Sequence, residues 1–166
     1  NEKTFVFYDA RKKQGYVGPV DAETIGRLLP IGLDPEDLVP LLLAAPSALG
    51  QATSSDLTAD RKVGLWRLSF VNEAQGLVQH AWFGADGRLA RIRLTRKGKL
   101  VYEASDFGYG DTPEPRAYPR IIKLRSGTRP KATITLTLRG EASLNADLPA
   151  ERFQLSLPEN CDRLVF

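Results

Sequence analysis

The sequence has few of the residues that carry metal-binding or nucleophilic chemistry. Its 166 residues include one cysteine, Cys161, and one histidine, His80. A structural zinc site needs about four nitrogen or sulfur ligands, so composition excludes one within this chain, and a single cysteine cannot form an intrachain disulfide. Neither a P-loop nor a dinucleotide-binding glycine motif is present. We therefore expect a protein that is not an enzyme and that uses no metal or other cofactor.

Long apolar runs and methionine are also missing. The longest apolar run, residues 41–45, ends at Pro46, whereas a bilayer-spanning helix needs about 18–20 apolar residues. Because translation starts with methionine, we expect a further segment before residue 1, where a targeting signal or lipid anchor would lie. The hydrophobic (42%) and charged (26%) fractions are typical of one globular domain over residues 1–166. The net charge of +3 does not indicate a nucleic-acid partner, and we expect none.

Most of the chain has the period-two pattern of β-strands with one buried face. Strands are predicted at residues 3–8 and 15–20, and then repeatedly between residues 61 and 140. Turn signals such as Ala85-Asp86-Gly87 and Lys97-Gly98 separate the later strands. Short connections between successive strands favour an antiparallel meander over parallel β-α-β units.

Two short helices are predicted before the main run of strands. Residues 21–29 begin with a capping residue and place apolar side chains at helical spacing. Asp34 is a predicted N-cap of the second helix, because proline follows it at the first helical position. Behind this cap, Leu38, Leu41 and Leu42 form one apolar face, which we expect to pack on the sheet.

The fold class predicted from these patterns is mainly β with a few short helices. Residues 51–60 are interpreted as a polar connection between the helices and the strands, and residues 153–157 as the last strand. About eight antiparallel strands with one apolar face would form a single curved sheet or open half-barrel, with the helices as a lid over that face.

His80 and Cys161 each have a functional and a structural interpretation. His80 lies on a predicted strand and would be either a base or pH sensor, or a strand histidine held by a hydrogen bond. The second interpretation is favoured because no motif supplies a serine or cysteine partner. Cys161, a single thiol near the C-terminus, is expected to be inert packing.

The charged residues of the sequence also allow two interpretations. The basic residues between Arg88 and Lys99 would form either an anion-binding or membrane surface, or a solvated strand face that discourages edge pairing. No aromatic residues are interleaved with them, which argues against single-stranded nucleic acid. The acidic residues Asp106, Asp111 and Glu114 have no spacing that pairs two carboxylates, so they are interpreted as turn residues.

The main apolar set combines Trp66, Phe70 and Trp82 with the leucine face of the second helix. This set would be either a filled core or the lining of a cavity, since both need the same alternation.

The C-terminal half carries a more specific pattern. Tyr118-Pro119 opens a strand, residues 144–149 contain a late asparagine followed by Leu148-Pro149, and Phe153-Gln154-Leu155 precedes Leu157-Pro158. This pattern resembles the closing segment of the LolA/LolB-type lipoprotein-carrier superfamily, including its uncharacterised outer-membrane lipoprotein branch. Residues 28–42 resemble the helical insertion that these proteins lay across the mouth of the sheet.

The resemblance implies an open antiparallel half-barrel with a helical lid and a hydrophobic cavity for acyl chains. It implies a location in the periplasm or at the outer membrane, and a role in lipoprotein transport or sorting. The ligand would be a lipid or acylated lipoprotein, and another envelope protein is a candidate partner. Family members begin with a helix and strands before the point that corresponds to residue 1, so those elements would be lacking here.

The inward parity of the strands and the apolar helix face select the expected cavity-lining residues: Leu38, Leu41, Leu42, Trp66, Leu68, Phe70, Ile92, Leu94, Ile134 and Leu136. Two alternatives remain open. The first is a non-catalytic structural or assembly lipoprotein that uses the sheet as a protein-docking surface. The second is a hydrolase of envelope substrates, which would depend on His80.

Overall fold

The structure is a computed structural model of the chain, and the residues it describes contain ten strands in two sheets. It describes residues 4–21, 23–24, 26, 33, 35–46, 52–109, 118–127, 131–139 and 147–165. The elements are β1 (Thr4–Asp9), β2 (Gln14–Pro19), α1 (Pro35–Leu42), β3 (Ser54–Asp60), β4 (Leu65–Asn72), β5 (Leu77–Phe83), β6 (Leu89–Arg96), β7 (Lys99–Gly108), β8 (Ile121–Ser126), β9 (Thr133–Thr137), a 3₁₀ helix (Ala150–Phe153) and β10 (Asp162–Val165). Several predicted features lie outside the described residues: the Asp34 cap, most of the helix at 21–29, Asp111, Glu114 and residues 144–146.

The larger sheet is a seven-stranded antiparallel meander in the order β3-β4-β5-β6-β7-β8-β9. Each strand pairs with the next one along the chain, so the prediction of an antiparallel meander is confirmed. The β6–β7 connection shows why the pairing is local: Lys97 and Gly98 form a two-residue turn with φ values of 48° and 73°, the left-handed pair that matches the strand twist. The sheet is open, with β3 at one edge and β9 at the other. The mainly β class is confirmed.

The first strand of this sheet was not expected from the sequence. Residues 51–60 were predicted to be a connection, but Ser54–Asp60 is β3, paired with β4 from Ser54↔Val71 to Asp60↔Leu65. The prediction fails because an edge strand has one neighbour and little buried surface, so its sequence needs no strong apolar alternation.

One face of the seven-stranded sheet, called the inner face below, holds the hydrophobic core. Register places Ala81 opposite Ile92, and Ile92 opposite Ala104, on this face. The hydrophobic inner-face residues exposed by 4% or less are Ala81, Leu89, Ile92, Leu94, Tyr102, Ala104, Ile122 and Leu124. Burying an isoleucine or leucine side chain stabilises the fold by about 1.5–3 kcal/mol, so the strands β5 to β8 carry most of the packing energy.

Helix α1 contributes Leu41 to this core, and Leu38 and Leu42 are partly buried against it. Leu41 is 1% exposed and belongs to the same buried cluster as the inner-face residues, whereas Val39 on the other side of the helix is 60% exposed. The helix ends where Ala44 turns left-handed (φ 53°) and the Ala45 N–H donates to the Pro40 carbonyl at 2.8 Å, the arrangement of a Schellman cap. None of the helices in the described residues is long and apolar enough to cross a bilayer.

The smaller sheet has three strands in the order β1-β2-β10. β10 runs parallel to β2, from Asp162↔Gln14 to Val165↔Val17, so the expectation of a single antiparallel sheet is wrong. The predicted strand at 153–157 is also wrong, since residues 154–157 are irregular. Leu157 instead packs on Gly15, where an added Cβ would approach the leucine side chain within 2.6 Å.

Candidate functional site

An exposed apolar strip lies on the inner face of β3 and β4. It consists of Leu57, Trp66, Leu68 and Phe70, and is called the apolar strip below. Leu57 faces Leu68 across the two strands, and Trp66 and Phe70 lie two residues to either side of Leu68. Leu57 is 60% and Trp66 51% exposed, while Leu68 and Phe70 are half-buried. The strip therefore offers water-exposed apolar surface over about 13 Å of strand, at about 3.3 Å per residue.

The central row of the apolar strip continues into the core, and no polar side chain interrupts it. Leu68 faces Ala81 on β5, and Ala81 faces Ile92 on β6. Ala81 and Ile92 are 0% and 1% exposed. One row of side chains thus passes from exposed at Leu57 to fully buried at Ile92. Beside this row, Phe70 faces Gln79, a fully buried polar residue.

The structure brings the predicted cavity-lining residues together on the inner face or against it. Leu41, Ile92 and Leu94 are in the buried core, and Leu38, Leu42, Ile134 and Leu136 are partly buried against it. Trp66, Leu68 and Phe70 lie on the same face, on β4. Their role as a cavity lining stays a prediction. Leu57 is the member of the apolar strip that the sequence analysis missed, because β3 was not recognised as a strand.

Trp82 does not belong with Trp66 and Phe70, as the sequence analysis had grouped it. It lies on the outer face of β5, 7% exposed, and its indole N–H donates to the Asp60 carboxylate at 3.0 Å. The Arg91 guanidinium lies 5.4 Å from the indole centroid, within the range of a cation–π contact. This hydrogen bond is the largest cause that lowers the pKa of Asp60. Trp82 therefore joins β3, β5 and β6 on the outer face.

His80 and Ser69 form a hydrogen-bonded pair on the outer face, at 2.9 Å between His80 Nδ1 and Ser69 Oγ. Burial, with Arg67 and Arg93 nearby, lowers the pKa of His80, so the neutral ring is favoured. A hydrolytic centre also needs a group that orients the base, and in the described part of the chain no carboxylate contacts this ring. The pair matches the hydrogen-bonded strand histidine that the sequence analysis favoured, although the serine partner was not foreseen.

Several of the basic residues between Arg88 and Lys99 make contacts within the chain. Glu103, on β7, accepts from Arg93 at 2.8 Å and from Arg125 at 3.1 Å. Arg91 lies over Trp82, and Arg88 lies 5.3 Å from the ring centroid of Tyr109. These contacts favour the interpretation of the basic residues as part of a solvated outer face with cross-strand side-chain pairs, and not as a dedicated anion site.

An open cleft of about 380 Å³ lies at one end of the sheet, lined by Gly84, Asp86, Arg88, Leu89, Ala90, Phe107, Gly108 and Tyr109. The Tyr109 hydroxyl donates to the Leu89 carbonyl at 2.9 Å. Burial raises the pKa of Tyr109 to about 12, so this hydroxyl stays neutral. This hydrogen bond holds the Tyr109 side chain in the wall of the cleft. The arrangement of the cleft indicates no catalytic reaction.

Cys161 is half-buried, and its N–H donates to the Pro158 carbonyl at 3.3 Å.

In the described ranges no three His, Cys, Asp or Glu side chains come together as metal ligands. Comparison of the chain with protein-family models, curated proteins and solved structures finds no match.

Proposed function

We propose that this protein binds the acyl chains of lipids or lipoproteins along the inner face of its seven-stranded sheet, as a carrier or sorting module of the bacterial cell envelope. The observation that supports this most is the apolar strip: Leu57 and Trp66, each more than half exposed, are continuous with a fully apolar core row. Large exposed apolar patches mark binding surfaces. The periplasm or the outer membrane is the proposed location.

The strip can begin binding without any movement of the core. Covering apolar side chains with an acyl chain gains about 0.8 kcal/mol per methylene removed from water. The ligand would first contact Trp66 and Leu68, since both are accessible, and would then extend toward Ala81. Because the strip presents no charged side chain, recognition would rest on apolar contact and shape.

Helix α1 is the proposed lid over the central part of the inner face. Leu41 and Ile92 are both 1% exposed and belong to one buried cluster. In this proposal Leu41 covers Ile92, so a ligand that reaches Ile92 would displace the helix. Losing the burial of Leu41 costs about 1.5–3 kcal/mol, which about two to four buried methylenes would offset at about 0.8 kcal/mol each. The partial burial of Leu38 and Leu42 adds to this cost and calls for further methylenes. A long acyl chain therefore supplies enough free energy to lift the lid.

The alternative function is a structural or assembly lipoprotein whose sheet docks another envelope protein. The filled central core favours it, because Leu41 joins Ile92 and Leu94 in one buried cluster. In that case the apolar strip would contact a protein and not an acyl chain.

The two tryptophans provide a direct test of acyl-chain binding. Trp66 lies in the strip and Trp82 is buried on the opposite face, so each can report alone. In Trp82→Phe, palmitate should shift the emission of Trp66 to the blue in a saturable manner, because the indole leaves water. In Trp66→Phe, the same titration should leave the emission of Trp82 unchanged.

A charge in the strip should remove binding while the fold persists. Trp66→Glu is expected to reduce palmitate affinity by about tenfold or more, since an ionised carboxylate opposes apolar burial. Leu155→Glu is the matched control, because Leu155 is equally exposed at 51% but lies outside both sheets. Equal loss in both variants, or an unshifted Trp66 spectrum, would count against the proposal. Retained affinity for a protein partner without lipid binding would favour the alternative.

A further inference from the structure

The outer edge of β3 has few of the features that usually protect an edge strand. β3 pairs with β4 over seven residues without a break in register, whereas the β5–β6, β6–β7 and β7–β8 pairings all contain irregularities. Its sequence, Ser54–Asp60, contains no proline and no lysine. Bulges, proline and charged side chains, lysine above all, discourage pairing with another chain. Of these β3 has only the carboxylates of Asp56 and Asp60, so it is an open template for one more strand in a register that keeps those carboxylates apart.

Exposure at this edge supports the same conclusion. Five of the seven residues of β3 are exposed, including Leu57 at its centre. In the described part of the chain, no strand pairs with the outer side of β3. Alternate residues of an edge strand direct N–H and C=O groups outward, and a second strand would satisfy them.

We propose that β3 pairs antiparallel with β3 of a second copy of this chain, across a two-fold axis at Leu57. The two seven-stranded sheets then form one continuous sheet, with both inner faces on the same side. A two-fold contact of this kind closes on itself, as in most homo-oligomers. The interface buries Leu57 against Leu57 of the second copy.

The positions of the carboxylates select this register. If the inner faces lie on one side, symmetric pairing has to be centred on a residue. Centring on Asp56 puts Asp56 opposite itself, and centring on Thr58 puts Asp56 opposite Asp60, which is unfavourable because like charges face each other. Centring on Leu57 puts Asp56 opposite Thr58 and Asp60 opposite Ser54. It also pairs all seven residues of the strand, since Leu57 is its midpoint.

The pairing would extend the apolar surface of each copy. Leu57 lies beside Leu68 on the inner face, so the strips of the two copies would meet at the axis. Their combined surface would run from one core to the other across both β4 strands. The dimer follows from the edge of β3 alone and does not depend on acyl-chain binding.

Disulfide trapping tests the register. In a Cys161→Ser background, Leu57→Cys should give a covalent dimer under mild oxidation, because the two thiols would face each other across the axis. Ala59→Cys, on the same strand and face, is the matched control. Its two copies would lie four residues apart along the pair, about 13 Å, beyond the Cα separation of about 7 Å that a disulfide allows. Cross-linking of both variants, or of Ala59→Cys alone, would overturn the register.

Charge exchange at the axis tests the pairing without a new covalent bond. Leu57→Lys and Leu57→Glu should each weaken self-association in sedimentation by about tenfold or more, because like charges would face each other. An equimolar mixture of the two variants should restore the dimer, since opposite charges then meet at the axis. This restoration excludes misfolding as the cause of the loss.

Several results would overturn the dimer. They are a wild-type chain that is monomeric over a wide range of protein concentration, no rescue in the mixture, or growth beyond two copies, which would indicate β3–β9 pairing. Palmitate titration of Trp82→Phe, followed through Trp66 at protein concentrations below and above the range in which dimers form, separates the two proposals. Binding without dimers retains the proposed function, and dimers without palmitate binding retain the interface.

Discussion

The central strands β5–β8 and the marginal strands β3–β4 belong to one sheet and share one alternation, but they differ in cover. On β8, Ile122 and Leu124 are fully buried, whereas Leu57 on β3 is 60% exposed on the same inner face. Leu41 of α1 belongs to the same buried cluster as the central strands, and Leu38 and Leu42 are partly buried against it. The marginal strands carry apolar side chains on the same face, but these side chains are covered by fewer other residues and are more exposed to solvent.

This difference shows that alternation defines a face but not its burial. A strand needs apolar residues on its inner face whether they contact a core, a ligand or another subunit. In the centre the partners are within the chain. At the margin, the described residues leave Leu57 and Trp66 more than half exposed, and both proposals above supply a partner for β3 and β4 from outside the chain.

The largest expected effect is a contrast in stability between the two regions. Ile122→Ala should lower the free energy of unfolding by about 3–4 kcal/mol, because it removes buried methyl groups and leaves a cavity. Leu57→Ala should change it by less than about 0.5 kcal/mol, since the side chain is mostly in water. Urea denaturation of dilute protein, where association does not contribute, measures both.

The two values also test the assignment of the core. A loss at Leu57 comparable to the loss at Ile122 would mean that the margin is packed, and the distinction between the regions would disappear. Ile122→Val serves as the conservative control, with an expected cost of about 0.5–1.5 kcal/mol.

A smaller effect is expected at the turn between two central strands. Lys97 has φ 48° in the β6–β7 turn, and asparagine adopts this conformation with less strain than lysine. Lys97→Asn should therefore raise the free energy of unfolding by about 0.5–1 kcal/mol in thermal or urea denaturation. Lys62→Asn, in the turn between the marginal strands, is the control and should change little, because the left-handed residue of that turn is already Gly64. A gain at Lys62 and none at Lys97 would contradict the strain argument.

Apart from the edge strand β3, the sequence predicted the strands that pair with their neighbours in the chain. β4 to β9 were recognised because each buries one face and is bounded by turn residues such as Lys97-Gly98. β10 was missed because its partner, β2, is far away in sequence and all four of its residues are exposed. The apolar spacing at 153–157 was interpreted as a strand, but Leu157 is apolar because it packs on Gly15.

The candidate site was predictable in part. Parity placed Trp66, Leu68 and Phe70 on one face, and that placement agrees with the register of β4. Trp82 was assigned to the same apolar set, although its parity is opposite and its indole binds Asp60. Leu57 offered one usable signal, a single apolar residue between polar neighbours. That signal is too weak to define an edge strand from sequence.

The smallest expected effect lies at the boundary between the two regions, where the His80–Ser69 pair joins β5 to β4 on the outer face. Burial first, and then Arg67 and Arg93, lower the pKa of His80 below its ordinary value of 6.5. As the pH falls below about 6.5, the unfolded chain therefore takes up this proton before the folded chain does, and stability decreases with acidification. Above that pH the contribution is constant. His80→Gln should remove this component from the difference in unfolding free energy between about pH 7.5 and 5.5. The effect should be small because the ring is only half-buried. Identical pH profiles of the unfolding free energy in the wild-type chain and the variant would show that protonation of His80 does not affect stability.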